Sequence, residues 1–158
     1  MNLEPKSPQY SCTEQVHLVN SGDLNGWKRL FGGSLLAWID VVASIAARRH
    51  CGTTTTTAAI DTLNFIKPAY AGDIVVISAK LTYTGRTSME VHVCSYVESN
   101  DGSRSLINEA YVVMVALDEN DRPCPVPPLL PETDEEIAGF EAGKKRSALR
   151  KTRREENF

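Results

Sequence analysis

No stretch of the 158-residue chain runs apolar for 18 consecutive positions, which excludes a membrane-spanning helix. The opening Met1-Asn2-Leu3-Glu4-Pro5-Lys6 is not a charged lead into a hydrophobic signal core, so no export signal is expected. Basic residues are not in excess: 17 Lys and Arg stand against 20 Asp and Glu, a formal net charge of −3. That balance argues against a general nucleic-acid binder, which needs net or clustered positive charge to neutralise phosphates. The four cysteines, Cys12, Cys51, Cys94 and Cys124, lie far apart with no CxxC pair, so neither a zinc site nor a disulfide framework is signalled. Phosphate-loop, dinucleotide and HExxH patterns are absent as well. Ser34, in the string GGSLL, lacks the second glycine of a nucleophile elbow, which argues against a serine hydrolase. These absences point to a soluble, unexported, cytoplasmic protein without a resident metal or cofactor.

The length suits one domain with one core. Residues 1–9, with Pro5 and Pro8, read as disordered. Tyr10 to Val19 can form a first strand, and the turn-rich stretch Asn20 to Leu30 leads to Gly32-Gly33. An apolar helix of about 18 residues follows, closing near Cys51-Gly52, where Arg48, Arg49 and His50 suit the negative end of its dipole. Four strands come next. Thr53 to Ile66 is β-branched and closes before Pro68. Ile74 to Tyr83 and Met89 to Val97 alternate apolar and polar residues, with Gly85-Arg86 as their turn, and Leu106 to Leu117 is a more continuous interior strand. Five of the eight prolines crowd into Pro123 to Pro131, which reads as a stiff linker. Beyond it, Thr133 and Glu136 form a capping box for a peripheral helix weakened by Gly139 and Gly143. The domain therefore spans residues 10–130 and a helical tail 131–158. The order predicts an α+β fold in which a curved antiparallel sheet wraps one long central helix.

Asp40 is the residue that points to chemistry. It sits inside the apolar run Leu35 to Ala47, and an ionised carboxylate in apolar surroundings is costly unless it is paired or serves a reaction. Gly33, Ala37, Asp40, Ser44 and Ala47 share one small, polar stripe of the helix, which leaves room for a ligand. Gly32 and Gly33 offer unobstructed N–H groups at the helix start, suited to a carbonyl oxygen gaining negative charge. Seven helical residues rise about 10 Å, however, so the Gly33 N–H and the Asp40 carboxylate do not reach one carbonyl together without a water or a second subunit. A buried structural acid behind a tight glycine turn is an equal alternative on these grounds. Other candidates are weaker. Asp61 shares a strand with Thr57 and Phe65 and is more simply a solvent-facing strand acid. His17, His50 and His92 have no acid or cysteine at a telling spacing.

The strings DLNGWKRLFGGSLLAWIDVVASIAARRH, TAAIDTLNFIKPAYAGD, GRTSMEVHV and PVPPLLPETDEE, in this order over about Tyr10 to Arg154, resemble the hotdog-fold acyl-CoA thioesterases. The likeness is to single-domain bacterial acyl-CoA hydrolases and to the domains of the cytosolic long-chain acyl-CoA hydrolases of animals. It implies hydrolysis of an acyl-CoA to a free acid and coenzyme A, which is part of substrate and product rather than a cofactor. It also implies a homodimer through a continuous sheet, often a trimer of dimers. The family's helix acid corresponds to Asp40, as general base or nucleophile, and the asparagine of its D-x-N element to Asn25. In related proteins these two come together across the dimer interface, and the Gly32 and Gly33 backbone is expected at the oxyanion. Thr57, Phe65, Arg86, Thr87 and Ser88 are the expected substrate contacts, and the basic run Lys144 to Arg154 is either a second phosphate site or an exposed helix end. Relatives commonly carry glycine three residues after that asparagine, where this chain has Lys28. An acyl-CoA-binding sensor on the same fold is the non-enzymatic alternative. A hydratase would need a histidine near the acid, and none precedes His50 in the loop or helix.

Overall fold

The structure, a computed structural model, describes residues 3–158. It comprises α1 (Pro8–Ser11), β1 (Thr13–Leu18), a 3-10 turn (Ser21–Asp23), α2 (Gly32–Cys51), β2 (Thr54–Phe65), β3 (Ile74–Thr84), β4 (Ser88–Glu98), β5 (Arg104–Leu117) and α3 (Asp134–Glu156). The five strands form one antiparallel sheet in the order β1-β3-β4-β5-β2. α2 touches all five of them. A flat sheet would expose its outer strands to solvent rather than to one helix, so contact with every strand requires the sheet to curve around it. This is the α+β arrangement expected from the order of elements, and the hotdog fold that the resemblance implies.

The inner face follows from period two. Val75, Ile77, Ala79 and Leu81 of β3, with Met89, Val91 and Val93 of β4, pack against Leu35, Ile39, Val42, Ala43 and Ala46 of α2. Small alanines on the helix let it sit close to the sheet. α2 starts on Phe31, and Gly52 closes it in the left-handed region at φ 73°.

Two expectations need correction. Met1 and Asn2 lie outside the described residues, but the rest of 1–9 is not disordered. The Lys6 N–H donates to Pro128 O (3.0 Å), its Nζ donates to His50 O (2.6 Å), and Tyr10 falls in α1 rather than in a strand. The proline-rich segment is a packed strap rather than a free linker. Its four non-proline N–H groups are all used: Cys124 to Ala116 O, Val126 to Arg86 O, Leu129 to Thr84 Oγ1 and Leu130 to Lys6 O. Prolines remove the other donors, so the segment lies against the sheet end with no N–H left unpaired, while Val126 and Leu129 are buried. The peripheral helix expected at the C-terminus is present as α3, and it is docked on the sheet by charge. Glu90 is 1% exposed on the outer face of β4, gripped by Arg146 (2.8 Å) and Arg150 (2.8 Å). Gly143 permits that approach, because a Cβ there would lie 2.7 Å from Tyr83 Cβ.

Candidate active site

The helix that carries Asp40 is not apolar and buried on every side. Gly33, Ala37 and Val41 are exposed and Asp40 is half-buried, so one face of α2 stays open while the rest is core. That open face lies beside β2, an edge strand whose residues are mostly exposed. The carboxylate is held there by a side chain from that strand. Thr57 Oγ1 donates to Asp40 Oδ1 at 2.5 Å, and no hydrogen bond reaches Oδ2 among the described residues. Thr57 therefore orients the acid, a role its place in a threonine run did not disclose. One turn along the helix Ser44 meets Thr55 at 3.5 Å, so the stripe of small polar residues is matched by inward threonines of β2.

Asn25 belongs to a second cluster. Its Oδ1 accepts from the N–H groups of Trp27 (2.9 Å) and Arg29 (3.2 Å), which fixes the amide orientation, since two backbone donors require the oxygen. Nδ2 is left uncommitted among the described residues, so Asn25 offers a donor and not an acceptor. The loop closes through Lys28 N–H to Asn25 O (3.0 Å) and Asn25 N–H to Arg29 O (2.8 Å). Lys28 itself has φ 59°. That left-handed conformation is the one glycine adopts without cost, so Lys28 holds a backbone geometry that suits the glycine expected there from the family resemblance.

Asn25 lines a cavity of about 270 Å³ with Gly32, Leu35, Phe65 and Ile66. The N–H groups of Gly32 and Gly33 precede the first bond into the helix, from Leu35 to Phe31 O (3.1 Å), and so are free of helical acceptors. Aromatic rings crowd both glycines. A Cβ on Gly32 would meet Phe65 at 3.3 Å, and one on Gly33 would meet Phe31 at 2.5 Å. Phe65 thus walls the glycine turn.

Within one chain these two clusters stay apart. Gly32 and Asp40 are separated by about 12 Å of helix rise, and no hydrogen bond joins Asp40 to Asn25 among the described residues. Trp27, Phe31, Val41, Phe65 and Ile66 are all about half exposed or more, leaving apolar surface uncovered around both.

The thioesterase superfamily profile matches residues 28–102. A Bacillus subtilis protein named as an uncharacterized acyl-CoA thioester hydrolase is 41% identical over 133 residues, 84% of this chain and 77% of that one. The chain belongs to the thioesterase superfamily. The rat cytosolic acyl coenzyme A thioester hydrolase is 35% identical over 98% of this chain, which spans 42% of that enzyme's length. A hexameric acyl-CoA thioesterase superposes with a TM-score of 0.90 at 38% identity, covering 95% of this chain and 97% of that one. An Asn-to-Ala variant of a Staphylococcus aureus acyl-CoA hydrolase, solved with coenzyme A, gives 0.93 at 34% identity over 99% and 94% of the two chains.

The remaining expected thioesterase contacts lie elsewhere in the chain. Arg86 is exposed in the β3–β4 turn, and its carbonyl and that of Thr87 anchor Val126 and Ala116. Ser88 lines a separate cavity of about 330 Å³ on the outer side, with Ser147, Arg150, Arg153 and Arg154. The structure does not bring Arg86, Thr87 or Ser88 to Asp40 of the same chain. Asp61 is not a solvent-facing strand acid: Arg150 (3.1 Å) and Arg153 (3.6 Å) pair with it, so the basic run near the C-terminus is partly spent on docking α3. His17 stacks on Trp38 with centroids 4.2 Å apart. His50 is buried, and its Nε2–H donates to Pro127 O at 2.8 Å. No helix among the described residues is long and apolar enough to cross a membrane.

Proposed function

We propose that the protein hydrolyses acyl-CoA thioesters, with Asp40 of one copy and Asn25 of another completing each site in a homodimer. The observation that carries this reading is the open face of α2, with Asp40 held by Thr57 at one position and a free Asn25 donor near the helix start. In an antiparallel two-fold pairing of β2, the start of each strand meets the end of the other. Full overlap sets Thr54 against Phe65 of the second copy, which carries the Asn25 cavity toward Thr57 and Asp40. The hexameric relative supports a higher assembly of such dimers.

A thioester carbonyl is electrophilic and releases a stable thiolate, so hydrolysis needs an activated water and a stabilised oxyanion. As general base, Asp40 takes a proton from water through its open Oδ2. The hydroxide adds to the carbonyl carbon, and the oxyanion is met by Asn25 Nδ2 and the glycine N–H groups. Collapse breaks the C–S bond, and the thiolate of coenzyme A leaves with the proton. As nucleophile, Asp40 instead forms an anhydride that water cleaves. In a single turnover in ¹⁸O-water, label in the Asp40 carboxylate identifies the anhydride path with water attacking the aspartyl carbonyl. Arg86, Thr87 and Ser88 serve the phosphates of coenzyme A from their turn, and the uncovered Phe65 and Val41 meet the acyl chain. The site of action is the cytoplasm, in keeping with four free cysteines.

The deciding experiment is a panel of acyl-CoA chain lengths assayed by free thiol release, with Asp40→Ala as control. Turnover that falls by about 10²- to 10⁴-fold in the variant supports the reading. Tight acyl-CoA binding without turnover of any chain length replaces it with the sensor.

A further inference from the structure

On the outer face of the sheet, away from Asp40, three side chains that the hydrolytic reading does not use converge. His92 and Cys94 are two apart on β4, so they share one face, and Cys94 lies directly opposite Glu109 on β5. Glu109 Oε1 is 2.7 Å from His92 Nε2, and Cys94 Sγ is 3.5 Å from the same nitrogen. All three donor atoms lie within 4.8 Å of one another, and all three residues are half-buried. We propose that His92, Cys94 and Glu109 form a binding site for a divalent transition-metal ion of the zinc class, with solvent as fourth ligand.

The geometry is close to what such an ion requires. Zinc binds nitrogen and oxygen at about 2.0–2.2 Å and sulfur at about 2.3 Å, which separates donors in a tetrahedral site by about 3.4–3.6 Å. The sulfur–nitrogen separation already fits, and the nitrogen–oxygen pair must open by roughly 0.7 Å, a movement within the freedom of a glutamate side chain. On binding, the Nε2–H···Oε1 hydrogen bond breaks, the imidazole proton sits on Nδ1, and the thiol releases its proton to solvent. One thiolate and one carboxylate then neutralise the dication, so the half-buried complex carries no net charge. A thiolate and an imidazole select zinc-class ions over magnesium or calcium, which prefer all-oxygen sites.

The scaffold is rigid. The donors stand on adjacent, hydrogen-bonded strands, and Tyr111 stacks on the His92 ring with centroids 4.6 Å apart. The Arg146 guanidinium lies 3.8 Å from the Tyr111 centroid, so the ring that orients the ligand is itself held by α3. The metal would clip β4 to β5 and take no part in hydrolysis on the inner face.

The test is titration of the chelator-stripped full-length protein with Co²⁺ and then Zn²⁺. One equivalent of Co²⁺ should produce a thiolate-to-cobalt charge-transfer band with tetrahedral visible bands, and Zn²⁺ should displace it and raise the melting temperature. Cys94→Ser should abolish that band and weaken Zn²⁺ binding by more than about 100-fold, beyond the 10- to 100-fold that outer-shell losses cost. His92→Gln and Glu109→Gln should each weaken it by at least about tenfold. Cys51→Ser and Cys124→Ser, which remove two of the three other half-buried thiols, should change nothing. Metal-free melting temperatures show that each variant folds. A charge-transfer band that persists in folded Cys94→Ser, or one lost in the Cys51 or Cys124 variants, overturns the site, as does octahedral Co²⁺ with no thiolate band in the wild type.

Discussion

Mixing two inactive variants tests whether the reaction belongs to a pair of chains. Asp40→Ala removes the acid and Asn25→Ala the donor, and each homodimer should be inactive, because loss of a general base costs about 10²- to 10⁴-fold and loss of an oxyanion donor about 10²- to 10³-fold. In one chain the acid and the glycine turn beside Asn25 are separated by about 12 Å of helix, whereas reacting atoms must approach within about 3–3.5 Å. If the partner copy supplies Asn25, a heterodimer carries one complete site and one doubly deficient site. With free exchange at equal amounts, half the dimers are mixed and each holds one working site of two, so thiol release should recover to about one quarter of wild type. The assay is acyl-CoA turnover after co-expression or co-refolding of the two variants, with each alone as the baseline. Recovery that stays at the single-variant level, with mixed dimers confirmed by differential tagging, refutes the shared site and requires Asn25 to reach its own Asp40.

Three other outcomes follow from the packing. Gly143→Ala should destabilise by about 1–3 kcal/mol in urea unfolding despite the helix-propensity gain, because its Cβ meets Tyr83 Cβ at 2.7 Å and Glu90 Oε1 at 2.9 Å. Gly139→Ala, with Thr82 no nearer than 4.0 Å, should stabilise by up to about 1 kcal/mol, and the opposite order would contradict the close approach of α3. Lys28→Gly should leave kcat unchanged and shift stability by no more than about 1 kcal/mol, since glycine takes φ 59° without strain but frees the unfolded chain; a tenfold fall in activity would give the lysine side chain a direct role. Burial pushes His50 below its ordinary 6.5, with the Lys6 charge acting the same way and its bond to Pro127 opposing. The unfolded chain therefore binds a proton that the folded one refuses, and stability should drop as pH falls below about 6.5, by at most about 1.4 kcal/mol per pH unit. His50→Gln should reduce that slope, with a residual of the same sign from His17, which burial also lowers; an unchanged slope would show that His50 is not its source.

Much of the fold was legible because it depends on local pattern. The apolar run from Leu35 and the alternation in Ile74 to Tyr83 and Met89 to Val97 specify which faces must leave water, and Thr133 with Glu136 marks the α3 start by chemistry confined to one turn. The strap was misread because proline density looks the same in a free linker and in a packed segment. Only the acceptors on β5, the β3–β4 turn and Lys6 distinguish them. Asp61 and Glu90 were likewise indistinguishable from solvent-facing strand acids until α3 brought Arg146 and Arg150 over them.

By itself the sequence determined the long helix, its acid at position 40 and the antiparallel strands around it, since periodicity and capping are set by neighbours along the chain. It also carried the family motifs. Tertiary structure decided what the acid faces. Asp40 occupies an open helix face beside the edge strand β2, oriented by Thr57 from 17 positions away, with Asn25 held in a separate loop by the Trp27 and Arg29 N–H groups. Those relations depend on how elements distant in sequence pack in space, and burial, pairing and the exposure of an edge are properties of that packing alone.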